Sequence, residues 1–294
     1  MEPEQIAERI WPGRELVLEP LDGGLTNQNF KVAVDGEVCV LRIGGKDSEL
    51  LAIDRSVEHG ASLVASELGI GPEVVGFVEP EGYLVTRFID GRPIPPEEMG
   101  RPETIARAAA VLRRIHDGPP IPGRFDSFRV VEVYAETAAA HGVTVPDVFE
   151  WAHGVAFRIE SARGGPVPVA CHNDYQNLNF LDEDGDIRIV DWEYAGMGDR
   201  FFDLANFSVN HEFGDDANAA LLEAYFGELR DDDARALRLM RFMSDFREAM
   251  WGVVQQGVSD LDVDYVGWAT QHFDRMLRTA AEKAFEEALK AEEK

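Results

Sequence analysis

His172-Asn173-Asp174-Tyr175-Gln176-Asn177-Leu178-Asn179-Phe180-Leu181, then Asp182-Glu183-Asp184-Gly185, then Ile187-Arg188-Ile189-Val190-Asp191-Trp192-Glu193 is the stretch on which the reading of this chain turns. A short polar segment ending in Gly separates two apolar runs, the pattern of a tight hairpin. A hairpin brings its two ends together. The loop before the first strand holds Asp174 and Asn179, and Asp191 follows the second strand directly. Two carboxylates and an amide oxygen are therefore expected at one mouth. Phosphoryl transfer needs that set. Asp174 can orient an acceptor hydroxyl and take its proton, while Asn179 and Asp191 offer the hard oxygens that suit Mg2+. The metal would bridge phosphate oxygens and neutralise developing charge. His172 is expected to support the loop by packing and hydrogen bonding rather than by titrating. The alternative is an acidic surface turn with an incidental His and Asn.

The chain around this stretch is 294 residues long and 45% hydrophobic, enough for one large domain or two lobes. Net charge is −27, from 55 acidic and 28 basic residues. Such a surface repels nucleic acid and anionic membranes, so neither is an expected partner. It also suits a high-salt cytoplasm, so it says little about substrate. No apolar run reaches the ~20 residues of a membrane span, and Met1 to Ile10 is acidic with no apolar signal region. Cys39 and Cys171 each lie in an apolar strand-like run and read as buried reduced thiols. A cytoplasmic location is the expectation.

The first ninety residues read as strands with one helix. Leu16 to Leu21 forms a strand, and Phe30 to Val34 and Val38 to Ile43 flank the hairpin signal Asp35-Gly36. Ile53 to Leu68 has helical periodicity and stops at Gly69 and Gly71-Pro72. Val74 to Val78 and Tyr83 to Ile89 are two further strands. Asp90 to Pro96, rich in Gly and Pro, marks a boundary between an N-terminal lobe, 1–89, and a C-terminal lobe, 90–294. Helical patterns cover Glu103 to His116, Val131 to Gly142 and Val148 to Ala162. After the strand-rich Val167 to Val190, they continue over Phe201 to His211, Ala217 to Phe226, Asp232 to Val258 and Tyr265 to Leu289. The class is α+β.

His172-x-Asp174, then Asn179, then Asp191, resembles the catalytic loop and metal-binding Asp of protein-kinase-like folds. With Asn173 where protein kinases carry Arg, it looks like the aminoglycoside phosphotransferase and choline kinase group. Asp191-Trp192-Glu193-Tyr194-Ala195-Gly196 and Phe202-Asp203-Leu204-Ala205-Asn206 closely resemble choline/ethanolamine kinases. The resemblance covers about residues 16 to 280 and is weakest from 95 to 165. It implies a two-lobed kinase fold, with a small antiparallel sheet carrying one helix and a larger, mainly helical lobe. It also implies that Asp203 stabilises the catalytic loop.

On the nucleotide side, Leu21-Asp22-Gly23-Gly24-Leu25-Thr26-Asn27-Gln28-Asn29-Phe30 resembles the choline kinase Gly-Gly-hydrophobe-Thr-Asn loop. Its small and amide residues let backbone N–H groups approach phosphates. Gly23, Gly24, Thr26, Asn27 and Asn29 are thus expected to bind nucleotide. Arg42 stands where protein kinases place a phosphate-binding Lys and can grip phosphate bidentately. Glu58 is its expected partner, by analogy with the kinase Lys–Glu pair. Thr86-Arg87-Phe88-Ile89 would be the hinge whose backbone reads adenine.

On the acceptor side, Asp245, Glu248, Trp251 and Gln255 recur at three- and four-residue intervals and are expected on one helix face. Carboxylates beside an indole suit a cation, and cation–π contact adds roughly 0.5–2 kcal/mol. The resemblance places Trp251 and Trp268 in an aromatic pocket for trimethylammonium, with Glu193 and Tyr194 entering from the catalytic side. Glu248 departs from the eukaryotic pattern, which has another Trp there. The expectation is an ATP- and Mg2+-dependent kinase for a small cationic alcohol, first of all choline. Ethanolamine, an aminoglycoside or another amino alcohol is the alternative acceptor. An inactive nucleotide- or amine-binding protein is the reading from a different class.

Overall fold

The protein is described here by a computed structural model covering residues 2–21, 27–45 and 48–292. A five-stranded antiparallel sheet has the order β1-β2-β3-β5-β4. Its strands are β1 (Leu16–Leu21), β2 (Asn27–Val34), β3 (Glu37–Gly44), β4 (Val74–Val78) and β5 (Tyr83–Arg87). Asp35 and Gly36 both have positive φ, 52° and 83°, the two-residue turn whose twist matches its strands. The turn pairs Val34 with Glu37 and sets the register that lays Asn29 opposite Arg42.

Helix α1 (Pro3–Ile10) precedes the sheet, against the expectation of a single helix in this region. Pro3 begins it, and Ile6 and Ala7 are buried in a cluster with Val32, Cys39, Leu41 and Val85. The segment is too short and too polar to announce itself by periodicity, and tertiary packing holds it.

Helix α2 (Arg55–Glu67) starts at Asp54, whose side chain accepts from the Ser56 and Val57 N–H groups. Its Ala61 and Ala65 join the large apolar cluster of the rest of the chain rather than the sheet's own. The approach is close. A Cβ on Gly60 would come 2.4 Å from the Pro122 ring, so only glycine fits. This contact fixes the helix that carries Glu58.

The remainder is mainly helical: α3 (Pro96–Met99), α4 (Pro102–His116), α5 (Ser127–Ala140), α6 (Val148–Arg163), α7 (Arg200–Asn210), α8 (Asp215–Phe226) and α9 (Asp231–Val258). Helix α9 runs through the centre and is buried almost continuously from Ala236 to Gln255. No helix among the described residues is long and apolar enough to cross a membrane. The expected helix Tyr265 to Leu289 is two helices, α10 (Tyr265–Ala281) and α11 (Lys283–Glu292), broken where Glu282 is extended. Beyond the break, Phe285, Ala288 and Leu289 of α11 are buried.

Two small sheets frame the functional stretch. Strand β6 (Arg92–Pro93) pairs with β8 (Phe180–Glu183), which pairs with β9 (Asp186–Ile189). Strand β7 (Val169–Cys171) pairs antiparallel with β10 (Gly196–Gly198). Cys39 and Cys171 are both buried free thiols.

Candidate active site

The loops between these sheets, residues 172–179 and 190–195, form one cleft. The β8–β9 register pairs Phe180 with Ile189, and the Val190 N–H donates to the Asn179 carbonyl at 3.1 Å. Asn179 and Asp191 therefore leave the open end of the hairpin side by side. Asn179 Nδ2 donates to the Asp174 carbonyl at 2.9 Å and reaches its Oδ2 at 3.4 Å. Asp174, Asn179 and Asp191 thus share one site. Asp191 holds φ at 68° and Asn173 at 66°. A left-handed non-glycine residue costs of order 1–3 kcal/mol and persists where the surroundings impose it. At Asp191 it turns the chain sharply off the strand.

His172 and Asp203 hold the loop. The Asp174 N–H donates to His172 Nδ1 at 3.2 Å, so His172 Nε2 donates to the Val190 carbonyl at 3.0 Å. That leaves a neutral imidazole, and burial lowers its pKa, against which Asp203 works. Its ring stacks on Tyr175 at 4.9 Å and meets the Trp192 edge at 4.6 Å. Asp203 is wholly buried. Its Oδ2 accepts from the His172 N–H at 3.0 Å and lies 2.9 Å from His116 Nε2, and its Oδ1 accepts from the Asn173 N–H at 2.7 Å.

A network of charged groups joins this loop to the sheet. Arg42 Nη2 lies 2.7 Å from Asp191 Oδ1, and its Nη1 pairs with Glu58. Burial works against the Arg42 charge, but Asp191, Glu58 and Glu193 outweigh it and raise the pKa. Arg55 Nη1 reaches Glu58 at 2.7 Å and Glu193 at 3.1 Å. Asn27 Nδ2 donates to Glu193 at 2.8 Å and Asn27 Oδ1 accepts from Arg55 at 2.9 Å. Glu193 was expected on the acceptor; its carboxylate instead joins Asn27 and Arg55 on the nucleotide side. Two residues beyond Asp191, it meets Arg55 at the first turn of α2.

Asn29 sits opposite Arg42 on β2. Gly23, Gly24 and Thr26 lie outside the described residues. Arg87 turns its guanidinium to Glu37 and, at 3.6 Å, to Glu73, while the Phe88 ring carries Lys31 Nζ at 4.4 Å. The side chains of Arg87 and Phe88 are thus occupied within the sheet, leaving backbone as what this segment offers a nucleotide.

Asp174 is 8% exposed. Burial pushes its pKa well up, the Arg247 guanidinium 3.9 Å from Oδ1 pulls it back, and Glu248, Asp191 and Glu193 push it up further. On the acceptor side Trp251 Nε1 donates to the Tyr194 hydroxyl at 2.9 Å. The Trp251 ring lies 5.5 Å from Trp268 and 5.8 Å from Tyr265. Tyr194, Trp251 and Trp268 are therefore together, beside the catalytic loop. Glu248 is 0% exposed, and its Oε1 is held by Arg247 Nη1 at 2.7 Å and Asn206 Nδ2 at 3.1 Å. Asp245 turns elsewhere, to His272 at 3.0 Å and Arg275 at 2.7 Å. Helix α9 is buried on every side, so its polar residues serve several neighbours rather than one face. Arg247 was not anticipated. The signal was present: a charge within an apolar helical run is almost never buried without a specific partner.

The donor set fits Mg2+. Asn179 turns its side-chain Nδ2 to Asp174, which leaves its amide oxygen as a metal donor near the Asp191 carboxylate. Two hard oxygen ligands, completed by phosphate and water, are typical for this ion.

The chain matches the phosphotransferase enzyme family over residues 17–240. A choline/ethanolamine kinase family protein from Mesorhizobium loti, of solved structure, is 31% identical with a TM-score of 0.83, covering 99% of this chain and 98% of that one. The choline kinase LicA from Streptococcus pneumoniae has a TM-score of 0.80 at 23% identity, covering 95% of this chain and 98% of its own. Ethanolamine kinase 1 of Mus musculus is 24% identical over an alignment of 316 positions, spanning 92% of this chain and 86% of the mouse protein.

Proposed function

Because the chain belongs to the phosphotransferase enzyme family and, within it, to the choline/ethanolamine kinases, we propose that it uses ATP and Mg2+ to phosphorylate the hydroxyl of a small cationic alcohol. Choline is the simplest acceptor that suits the paired indoles. Membership of this family makes the chain a phosphotransferase acting on the alcohol group of a small amino alcohol. The observation that carries the finer reading is the convergence of Asp174, Asn179 and Asp191 in one cleft, with Arg42 beside Asp191.

Asp174 orients the acceptor hydroxyl and takes its proton as the oxygen bonds to the terminal phosphorus, while the bond from that phosphorus to the ADP oxygen breaks. Asn179 and Asp191 would hold Mg2+, which when bound neutralises charge on the phosphates. Arg42, set by Glu58, faces the same phosphates. The nucleotide would be held by residues 1–89 and the acceptor by 90–294. Trp251 and Trp268 present aromatic surface to the acceptor's cation.

Ethanolamine is the second reading. Glu248 stands where the resemblance expects a Trp, and among the described residues its buried Oε2 has no hydrogen-bond partner. A primary ammonium can donate to it, whereas a trimethylammonium cannot.

The test is a phosphorylation screen with ATP, Mg2+ and one acceptor at a time, the product read by phosphorus NMR. Phosphocholine or phosphoethanolamine formation supports the reading. ATP binding without transfer to any amino alcohol contradicts it and favours a binding protein.

A further inference from the structure

Arg247 places a resident cation on the acceptor side. It is 1% exposed, and its guanidinium carbon lies 4.3 Å from the centre of the Tyr194 ring. Nη1 donates to Glu248 Oε1 at 2.7 Å and lies 3.9 Å from Asp174 Oδ1. Nε and Nη2 are buried and, among the described residues, have no hydrogen-bond partner. The neighbouring Tyr134 hydroxyl donates to the Leu51 carbonyl at 3.3 Å and turns its lone pairs toward the guanidinium, outside regular hydrogen-bond geometry.

Those two nitrogens form one edge of the guanidinium, the edge that takes a carboxylate through two parallel hydrogen bonds. Buried donors without partners are rare in native proteins, and a ligand is one of the things that explains them. The same site holds an unpartnered acceptor, Glu248 Oε2. The Tyr194 face already carries a protein cation, so a ligand's ammonium is left with Glu248 and the indoles of Trp251 and Trp268. A bare cation approaching Asp174 also meets the fixed Arg247 charge. A zwitterion answers both groups: its anion meets Arg247 and its cation meets Glu248.

We propose that Arg247 is a specificity-determining residue that selects an acceptor alcohol bearing a carboxylate beside its amine, gripped by the Nε–Nη2 edge. This rests on the kinase reading of the same site and narrows its substrate class. Choline and ethanolamine are then minimal acceptors that leave the edge unfilled.

The experiment uses matched acceptors that differ by one carboxylate: ethanolamine against L-serine, and choline against N,N,N-trimethylserine. ADP release gives kcat/KM for each with the wild type, Arg247→Met and Arg247→Lys, all checked for fold by circular dichroism and melting temperature. The wild type should prefer the carboxylated member of at least one pair by about tenfold or more. Arg247→Met should erase or reverse that preference, and Arg247→Lys, which keeps the charge without the fork, should fall between. If Arg247→Met does not fold, the wild-type ratio and Arg247→Lys decide. A wild type that favours the plain amino alcohols, or a carboxylate preference unchanged by the variants, overturns the role of Arg247 and leaves the kinase reading standing. A wild type whose ATP consumption is raised by neither member of either pair overturns the kinase reading itself.

Discussion

The Arg42 guanidinium on β3 meets the Asp191 carboxylate at 2.7 Å, tying the hairpin of the sheet to the residue that closes the catalytic hairpin. Glu58, 2% exposed, holds the other side of the same guanidinium and also takes Arg55. Replacing Glu58 by Ala therefore frees two cations at once. Losing one partner of a buried pair costs about 3 kcal/mol. The KM for ATP should rise by about tenfold or more, with a melting temperature several degrees lower, read by coupled assay and thermal melt. An unchanged KM for ATP would show that Glu58 does not set Arg42.

Asp203 accepts from the His172 and Asn173 backbone and lies against His116, wholly buried. Asp203→Asn keeps the shape but turns an N–H toward groups that donate. A buried donor left unpaired costs roughly 1–3 kcal/mol. The expected outcome is a kcat reduced by about 100-fold with the affinity for ATP within about threefold of wild type. Isothermal titration with ATP, set beside steady-state rates, separates the two.

How much of this was legible beforehand follows from the range of the interactions. Asp174, Asn179 and Asp191 lie within one contiguous hairpin, so local turn chemistry was enough to bring them together. The Asp35-Gly36 turn and the strands around it were legible for the same reason. The direction of Glu193 depends on Asn27 and Arg55, more than a hundred positions away in the chain, and no local pattern contains it. The partners of Glu248 and Asp245 were not legible for a related reason: helical spacing names faces only where one face is solvent, and α9 has none to spare. Glu282 breaks the last helix because Phe285 and Leu289 find the core, a tertiary demand that helical propensity does not register.

Trp251 and Trp268 should act on the acceptor alone. Cation–π contact of roughly 0.5–2 kcal/mol corresponds to about 2- to 30-fold in affinity. Trp251→Leu or Trp268→Leu should raise the KM for the amino alcohol by a factor in that range while leaving the KM for ATP unchanged. A parallel rise in the KM for ATP would point to general collapse of the fold instead.

His211 predicts a pH dependence of stability that is separate from the active chemistry. Its ring packs among Phe180, Phe207 and Phe213, its Nε2 is sealed without a partner among the described residues, and burial lowers its pKa to about 3. The folded state therefore binds fewer protons than the unfolded state between about pH 6.5 and 3. Its contribution to stability is intact above about pH 6.5 and is lost as pH falls below it, by at most about 1.4 kcal/mol per pH unit. His211→Gln should flatten the acid side of the melting-temperature profile relative to wild type. An identical slope in the two proteins would contradict the assignment.

The central claim is that Asp174 handles the acceptor proton at a site where Asn179 and Asp191 face the phosphates. The most direct measurement is amino-alcohol-dependent ADP release by Asp174→Asn, with ATP affinity determined on the same sample. General-base removal costs about 100- to 10,000-fold. The account predicts a rate reduced by about 1,000-fold with ATP affinity close to wild type, and turnover at the wild-type rate would contradict it.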